Sequence, residues 1–164
     1  MKYTKLAIVG GMLFMIGTAG SQYNPLNPIG AAYSAKASGD SRPVSSLFTY
    51  VESMSALQKK LNAAKRVHQP VMIEFFANWC PYCKNVDQNV LSDATVRERM
   101  KSFSTVRVDI SQPSDELSNM METYRVYGVP AMVFYDRNGD LYNSSTLESG
   151  ITKDALLSTL HDLS

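Results

Sequence analysis

Cys80 and Cys83 are the only cysteines of the 164-residue chain, and they stand three apart in Trp79-Cys80-Pro81-Tyr82-Cys83-Lys84. Two thiols at that spacing on the first turn of a helix lie close enough for one to attack a mixed disulfide held by the other. A bond between them would close a very small loop and constrain the unfolded chain little. It is a poor staple and a better reagent. Zinc is the competing use of such a pair, but a closed structural site needs four ligands. The other soft candidates, His68 and His161, are far away in sequence and not at ligand spacing. The expected chemistry is thiol–disulfide exchange, with no metal and no cofactor beyond the cysteine pair, because no nucleotide fingerprint such as G-x-G-x-x-G is present.

What precedes the pair decides whether it can react. Val71-Met72-Ile73-Glu74-Phe75-Phe76-Ala77 is apolar on both faces apart from Glu74, as expected of a central strand covered by helices on each side. A helix is expected from about Pro81, which suits a first helical turn because its missing N–H would have had no partner there. Cys80 then sits at the helix N-terminus, where unpaired amides and the helix dipole favour thiolate over thiol. The roles that follow are an exposed nucleophile, Cys80, and a more buried resolving thiol, Cys83. Trp79 and Tyr82 would flank them with apolar area for a partner's peptide. Glu74, the lone charge on its strand, is read as a buried acid of raised pKa able to take the proton of Cys83; the competing reading is a solvent-facing strand acid.

The rest of the chain supplies the elements that hold this strand and helix. Leu47 to Val51 has strand composition, and Ser53 can cap a helix whose Leu57, Leu61 and Ala64 share a face. Val86 and Val90 fall one turn apart on the helix after the cysteines, and Asp93 to Met100 reads as a second short helix. Thr105 to Ile110 alternates as a strand, and Asp115 to Tyr124 reads as another helix. Ala131 to Tyr135 is a strand, turned at Asp136-Arg137-Asn138-Gly139-Asp140 into an antiparallel return over Leu141 to Ser145. Thr152 caps a last helix carrying Leu156, Leu157, Leu160 and Leu163. The order implies an α/β fold, with a central mixed sheet flanked by helices on both faces.

Met1 to Lys5 is a short basic stretch, followed by an apolar run from Leu6 to Ala19 with small residues at Gly17-Thr18-Ala19. Residues 1–21 therefore read as a signal peptide or, since no charge appears from Leu6 through Ala35, an N-terminal membrane anchor. Residues 22–45, rich in Ser, Gly, Ala, Pro and Asn, read as a flexible linker, and 46–164 as the folded domain. A formal net charge of +1 without a Lys/Arg cluster excludes a nucleic-acid partner on electrostatic grounds.

Residues 71–84, VMIEFFANWCPYCK, resemble the active-site strand and helix of the thioredoxin superfamily. Leu91-Ser92-Asp93, Gly128-Val129-Pro130 and the Phe134 to Asp140 hairpin extend the likeness, specifically to the C-terminal periplasmic domain of the DsbD family of thiol:disulfide interchange proteins, over about residues 47–163. The Pro81-Tyr82 pair between the cysteines departs from that domain and is the one typical of glutaredoxins. The resemblance implies a thioredoxin-like fold and a reductase of disulfides in exported proteins, in the periplasm, fed by a membrane electron donor. It implies that Pro130 is a cis-proline facing the cysteines, leaving the backbone of Val129 free to pair with a bound peptide. It also implies that Glu74 is the buried acid beneath the resolving cysteine. Arg107 aligns with a lysine near that acid, but strand alternation reads it as a surface arginine. A disulfide oxidase or isomerase, and a non-catalytic binding module of the same fold, remain the alternatives.

Overall fold

A computed structural model describes residues 41–142, 147–148 and 150–164. The expected signal or anchor over 1–21 and the linker residues 22–40 lie outside the described residues. Five strands and five α-helices follow one another as β1 (Thr49–Val51), α1 (Met54–Arg66), β2 (Val71–Phe76), α2 (Pro81–Val86), α3 (Ala94–Met100), β3 (Ser104–Asp109), α4 (Asp115–Thr123), β4 (Ala131–Tyr135), β5 (Leu147–Glu148) and α5 (Lys153–Asp162). The sheet order is β1-β3-β2-β4-β5, with β1, β3 and β2 parallel and β4 and β5 antiparallel to their neighbours. This is the mixed, helix-flanked sheet that the sequence implies.

Every residue of β2 is buried, because the strand lies in the middle of the sheet with helices over both faces. Val71, Ile73 and Phe75 pack with Leu57 and Leu61 of α1 and Met120 of α4. Met72, on the opposite face, joins Val96 and Met100 of α3 and Leu156 and Leu160 of α5. The helix starts are fixed by side chains: the hydroxyls of Ser53, Ser114 and Thr152 accept from the amides of Ala56, Leu117 and Ala155, and the Asp93 carboxylate accepts from Thr95 and Val96. Each cap satisfies amides that the helix itself leaves unpaired.

Two local differences from expectation have physical reasons. The strand expected over Leu47 to Val51 begins only at Thr49, because Val44–Leu47 winds into a 3₁₀ turn that lays Val44 and Leu47 against the core. After Val86 the helix widens into a π turn over Asp87–Leu91, which brings both Val90 and Leu91 inward. The return expected over Leu141 to Ser145 begins as expected, with Leu141 bridged to Tyr135 and the amide of Tyr142 donating to the Phe134 carbonyl at 2.9 Å, and Leu147–Glu148 pairs antiparallel with the start of β4. Residues 143–146 lie outside the described residues. The turn between them is as expected, with Gly139 at φ 76° and the Asp136 carboxylate accepting from the amides of Asn138 and Asp140. Among the described residues, no helix is long and apolar enough to cross a membrane.

Candidate active site

The cysteine pair lies where β2 gives way to α2, at the end of the sheet from which β4 departs. Cys80 is the N-cap of α2, and its sulfur accepts from the amide of Cys83 at 3.1 Å. That contact ties the reacting atom to the helix end, with Pro81 at the first helical position. Both cysteines are free thiols.

Both are also buried, each 2% exposed. The expectation of an exposed Cys80 beside a more deeply buried Cys83 is therefore corrected. The cause is the loop before β4: the Val129–Pro130 peptide bond is cis, and the carbonyl of Val129 accepts from the Cys80 sulfur at 3.5 Å. Val129 also packs against the small cluster of Phe76, Ala77, Cys80 and Cys83. The neighbours of Cys80 in the chain, Trp79, Pro81 and Tyr82, are exposed. Tyr124 is a core residue packed against Phe75 and Tyr135.

Trp79 is held in place by its neighbours. Its indole Nε1 donates to the carbonyl of Ser111 at 3.3 Å, and the Asn78 amide donates to the Ser111 hydroxyl at 2.7 Å. Ser111 is in turn bound through both its amide and its hydroxyl to the Asp109 carboxylate at the end of β3. Beside the indole opens a pocket of about 270 Å³ lined by Ile110, Pro113, Leu117 and Met121 among others.

Beneath the dithiol, Glu74 is fully buried on the face of β2 that also carries Met72 and Phe76. Burial raises its carboxyl to about 7, against the lowering influence of Arg107. Arg107 stands opposite Glu74 in the β2–β3 register and is 2% exposed, so the surface reading of this residue is overturned. Its Nε donates to Glu74 Oε2 at 2.8 Å, while Nη2 lies 2.7 Å from the same oxygen as an ion pair and donates to the Asp87 carboxylate. Burial, together with the hydrogen bond from Cys80, pushes the Cys83 thiol up to about 12. Cys83 at rest is a protonated thiol, and it needs a base to become a nucleophile.

Sequence reasoning misread Arg107 and overlooked Asp87. A signal existed for each. Glu74 and Arg107 are the sole charges within the interiors of two adjacent parallel strands, and Asp87 follows Cys83 by four residues on the same helix face. Among the described residues, no group of three or more His, Cys, Asp or Glu side chains is gathered as a metal site would require.

A family model described as thioredoxin-like matches residues 52–137, more than half of the chain. The chain belongs to the thioredoxin-like family. This thioredoxin-like chain is 28% identical over 134 residues to the thiol:disulfide interchange protein DsbD of Ralstonia nicotianae, covering 80% of the chain and 22% of that protein. It is 29% identical over 132 residues to DsbD of a Pseudomonas species, covering 80% of the chain and 23% of that protein. It thus spans less than a quarter of the length of these curated relatives. Among solved structures, the oxidised DsbD C-terminal domain of Neisseria meningitidis superposes with a TM-score of 0.61 at 19% identity, covering 71% of the chain and 100% of that domain. A Thermus thermophilus thioredoxin superposes at 0.56 with 25% identity, covering 70% and 85%. These likenesses agree with the thioredoxin-like fold described above.

Proposed function

We propose that this chain is a thiol:disulfide oxidoreductase that reduces disulfides in exported proteins through Cys80 and Cys83. The observation that carries the reading is the Cys80 sulfur at the helix end, bonded by the Cys83 amide at 3.1 Å, above a buried acid.

The exchange runs in two balanced steps. Cys80, as thiolate, attacks one sulfur of the partner's disulfide; that S–S bond breaks, its other sulfur leaves as thiolate, and a Cys80–partner disulfide forms. Cys83 then gives its proton to Glu74 and attacks the Cys80 sulfur, releasing the partner's second thiolate. The partner has gained two electrons and the Cys80–Cys83 pair has become a disulfide. At rest Cys83 resists ionisation partly because of its hydrogen bond with Cys80. That influence is lost once Cys80 is bound to the partner, so Glu74 meets an easier proton at the moment it is needed. Trp79, Pro81, Tyr82, Val129 and Pro130 form the rim on which the partner's peptide rests, with the Val129 backbone beside the attacking sulfur. No cofactor other than the cysteine pair takes part.

The resemblance to the DsbD C-terminal domain supports the reducing direction, a periplasmic setting and re-reduction by a membrane electron donor. An apolar N-terminal segment supports export, with or without a retained anchor. The deciding experiment is the reduction potential of the pair in glutathione or dithiothreitol buffers, run beside an insulin-reduction assay. A value near roughly −270 mV supports a reductant, and one near roughly −120 mV makes the chain a donor of disulfides instead. Partner binding without turnover would leave only a binding module.

A further inference from the structure

The parallel strands β1, β3 and β2 end on the same side of the sheet, the side that carries the dithiol. Glu52 follows β1, Ile110 follows β3 and Asn78 lies two residues past β2. In open sheets, ligands bind in the crevice outside the carboxyl ends of parallel strands. Here that crevice is a cavity of about 460 Å³ lined by Glu52, Asn78, Asp109, Gln112 and Leu117 among others. It shares Ser111, Pro113, Ser114 and Leu117 with the pocket beside Trp79. Ile110, which lines that pocket, also packs against the cluster holding Cys80 and Cys83. The two cavities form one groove that begins at the dithiol and ends below Glu52.

Its two halves differ in chemistry. Trp79, Ile110, Leu117 and Met121 make the half near the cysteines apolar. The far half is lined by two carboxylates, Glu52 and Asp109, and by no lysine or arginine. Only one of those carboxylates is available to a partner. Asp109 accepts from the amide and hydroxyl of Ser111 through Oδ1, and from the Asn78 side chain through Oδ2 at 3.5 Å. Glu116 of α4 is likewise committed, accepting from the Met54 amide at 2.6 Å. Glu52 is exposed and makes no hydrogen bond or ion pair with the described residues. A charge at the rim of a cleft attracts an opposite charge more strongly than one on an open surface, because low-dielectric walls focus its field.

We propose that Glu52 is a specificity-determining residue of the exchange site, and that the groove takes a partner segment with an apolar residue beside Trp79 and a lysine or arginine beside Glu52. This rests on the exchange reading of the dithiol given above and names the kind of partner it acts on. A long basic side chain suits the far half: its methylene stem lies along Pro113 and Leu117 while its charged head reaches Glu52.

The probes are three synthetic peptides of one sequence, each closed by an internal disulfide. Each flank carries leucine followed by lysine, glutamine or glutamate. The fully reduced chain is mixed with excess peptide, and the rate of a single turnover is read from the loss of free thiol. Wild type should reduce the lysine peptide about tenfold faster than the glutamate peptide, since an attractive contact replaces a repulsive one. The ratio should shrink towards one at about 1 M salt, where charges are screened within about 3 Å. In Glu52→Gln it should drop to about threefold or less, and in Glu52→Lys the order should invert. Neither variant breaks a bond with the described residues, so both keep the fold. Equal rates for the three peptides in wild type, or a ratio unchanged in both variants, would overturn the proposal. If wild type reduces none of them, the exchange reading falls. The subsite is then decided by ¹H–¹⁵N NMR titration with the same peptides: amide shifts at Glu52 and Gln112 with the lysine peptide alone keep it, and their absence removes it.

Discussion

The amide of Cys83 donates to the sulfur of Cys80 across 3.1 Å, so the resolving residue supports the attacking one through its backbone before using its own side chain. The contact uses only the backbone of Cys83, so it survives replacement of that residue's side chain, and the two thiols can be tested separately. Cys83→Ser should still make the first attack and then stall, accumulating a Cys80–partner disulfide. Cys80→Ser should form none and lose turnover. Non-reducing electrophoresis with mass spectrometry of the trapped species checks both, and a trapped adduct on Cys83 in the Cys80 variant would reverse the roles.

Glu74 should make stability depend on pH in a defined direction. Burial raises its carboxyl from 4.5 to about 7, so between those values the native state keeps a proton that the unfolded chain has released. The stabilisation is complete below pH 4.5 and is lost as pH rises through about 7. It amounts to about 3 kcal/mol as an order of magnitude. Urea unfolding across this range should show a decline in wild type that is flattened in Glu74→Gln. An equal slope in both would place the titration elsewhere.

Trp79 is exposed yet pinned through Ser111, which suits an anchoring surface better than core packing. Trp79→Ala should lower kcat/KM for a protein disulfide by about tenfold, in line with the loss of an interfacial aromatic. Reaction with a small disulfide such as oxidised dithiothreitol should change little. Equal losses with both substrates would mean that the indole shapes the cysteine loop instead.

Asp93 caps α3 through the amides of Thr95 and Val96 and also meets Lys153 of α5 at 3.1 Å. Its removal in Asp93→Ala should cost about 1 kcal/mol of stability, most of it from the cap, since exposed ion pairs add little. Thermal melting measures the loss. Exchange kinetics should be unchanged, because the cap lies outside the site.

Much of this was legible because several levels of the sequence agree. An apolar run with one acid, then Trp-Cys-Pro-Tyr-Cys, gives a buried strand feeding a helix, and the cap residues Ser53 and Thr152 mark helix starts by their own chemistry. Arg107 was misread because alternation in Thr105 to Ile110 assigns it to the face opposite Val106 and Val108. Alternation identifies faces but not what covers them. Here Phe48, Phe76 and Asp87 close that face over the guanidinium. Cys80 was placed at the surface for a similar reason: helix N-termini are usually open, and the Val129–Pro130 loop that covers it is 49 residues away. The return after Gly139 was legible where it is described, since Leu141 bridges Tyr135 and the amide of Tyr142 donates to the Phe134 carbonyl.

The π turn at Asp87–Leu91 carries one residue more than a regular helix would need there. A chain one residue shorter in this segment would close into a regular α-helix and leave α3 in register, so this is where the fold can absorb a change of length. In a library of single-residue deletions, the five positions from Asp87 to Leu91 should tolerate loss more readily than the first turn of α2.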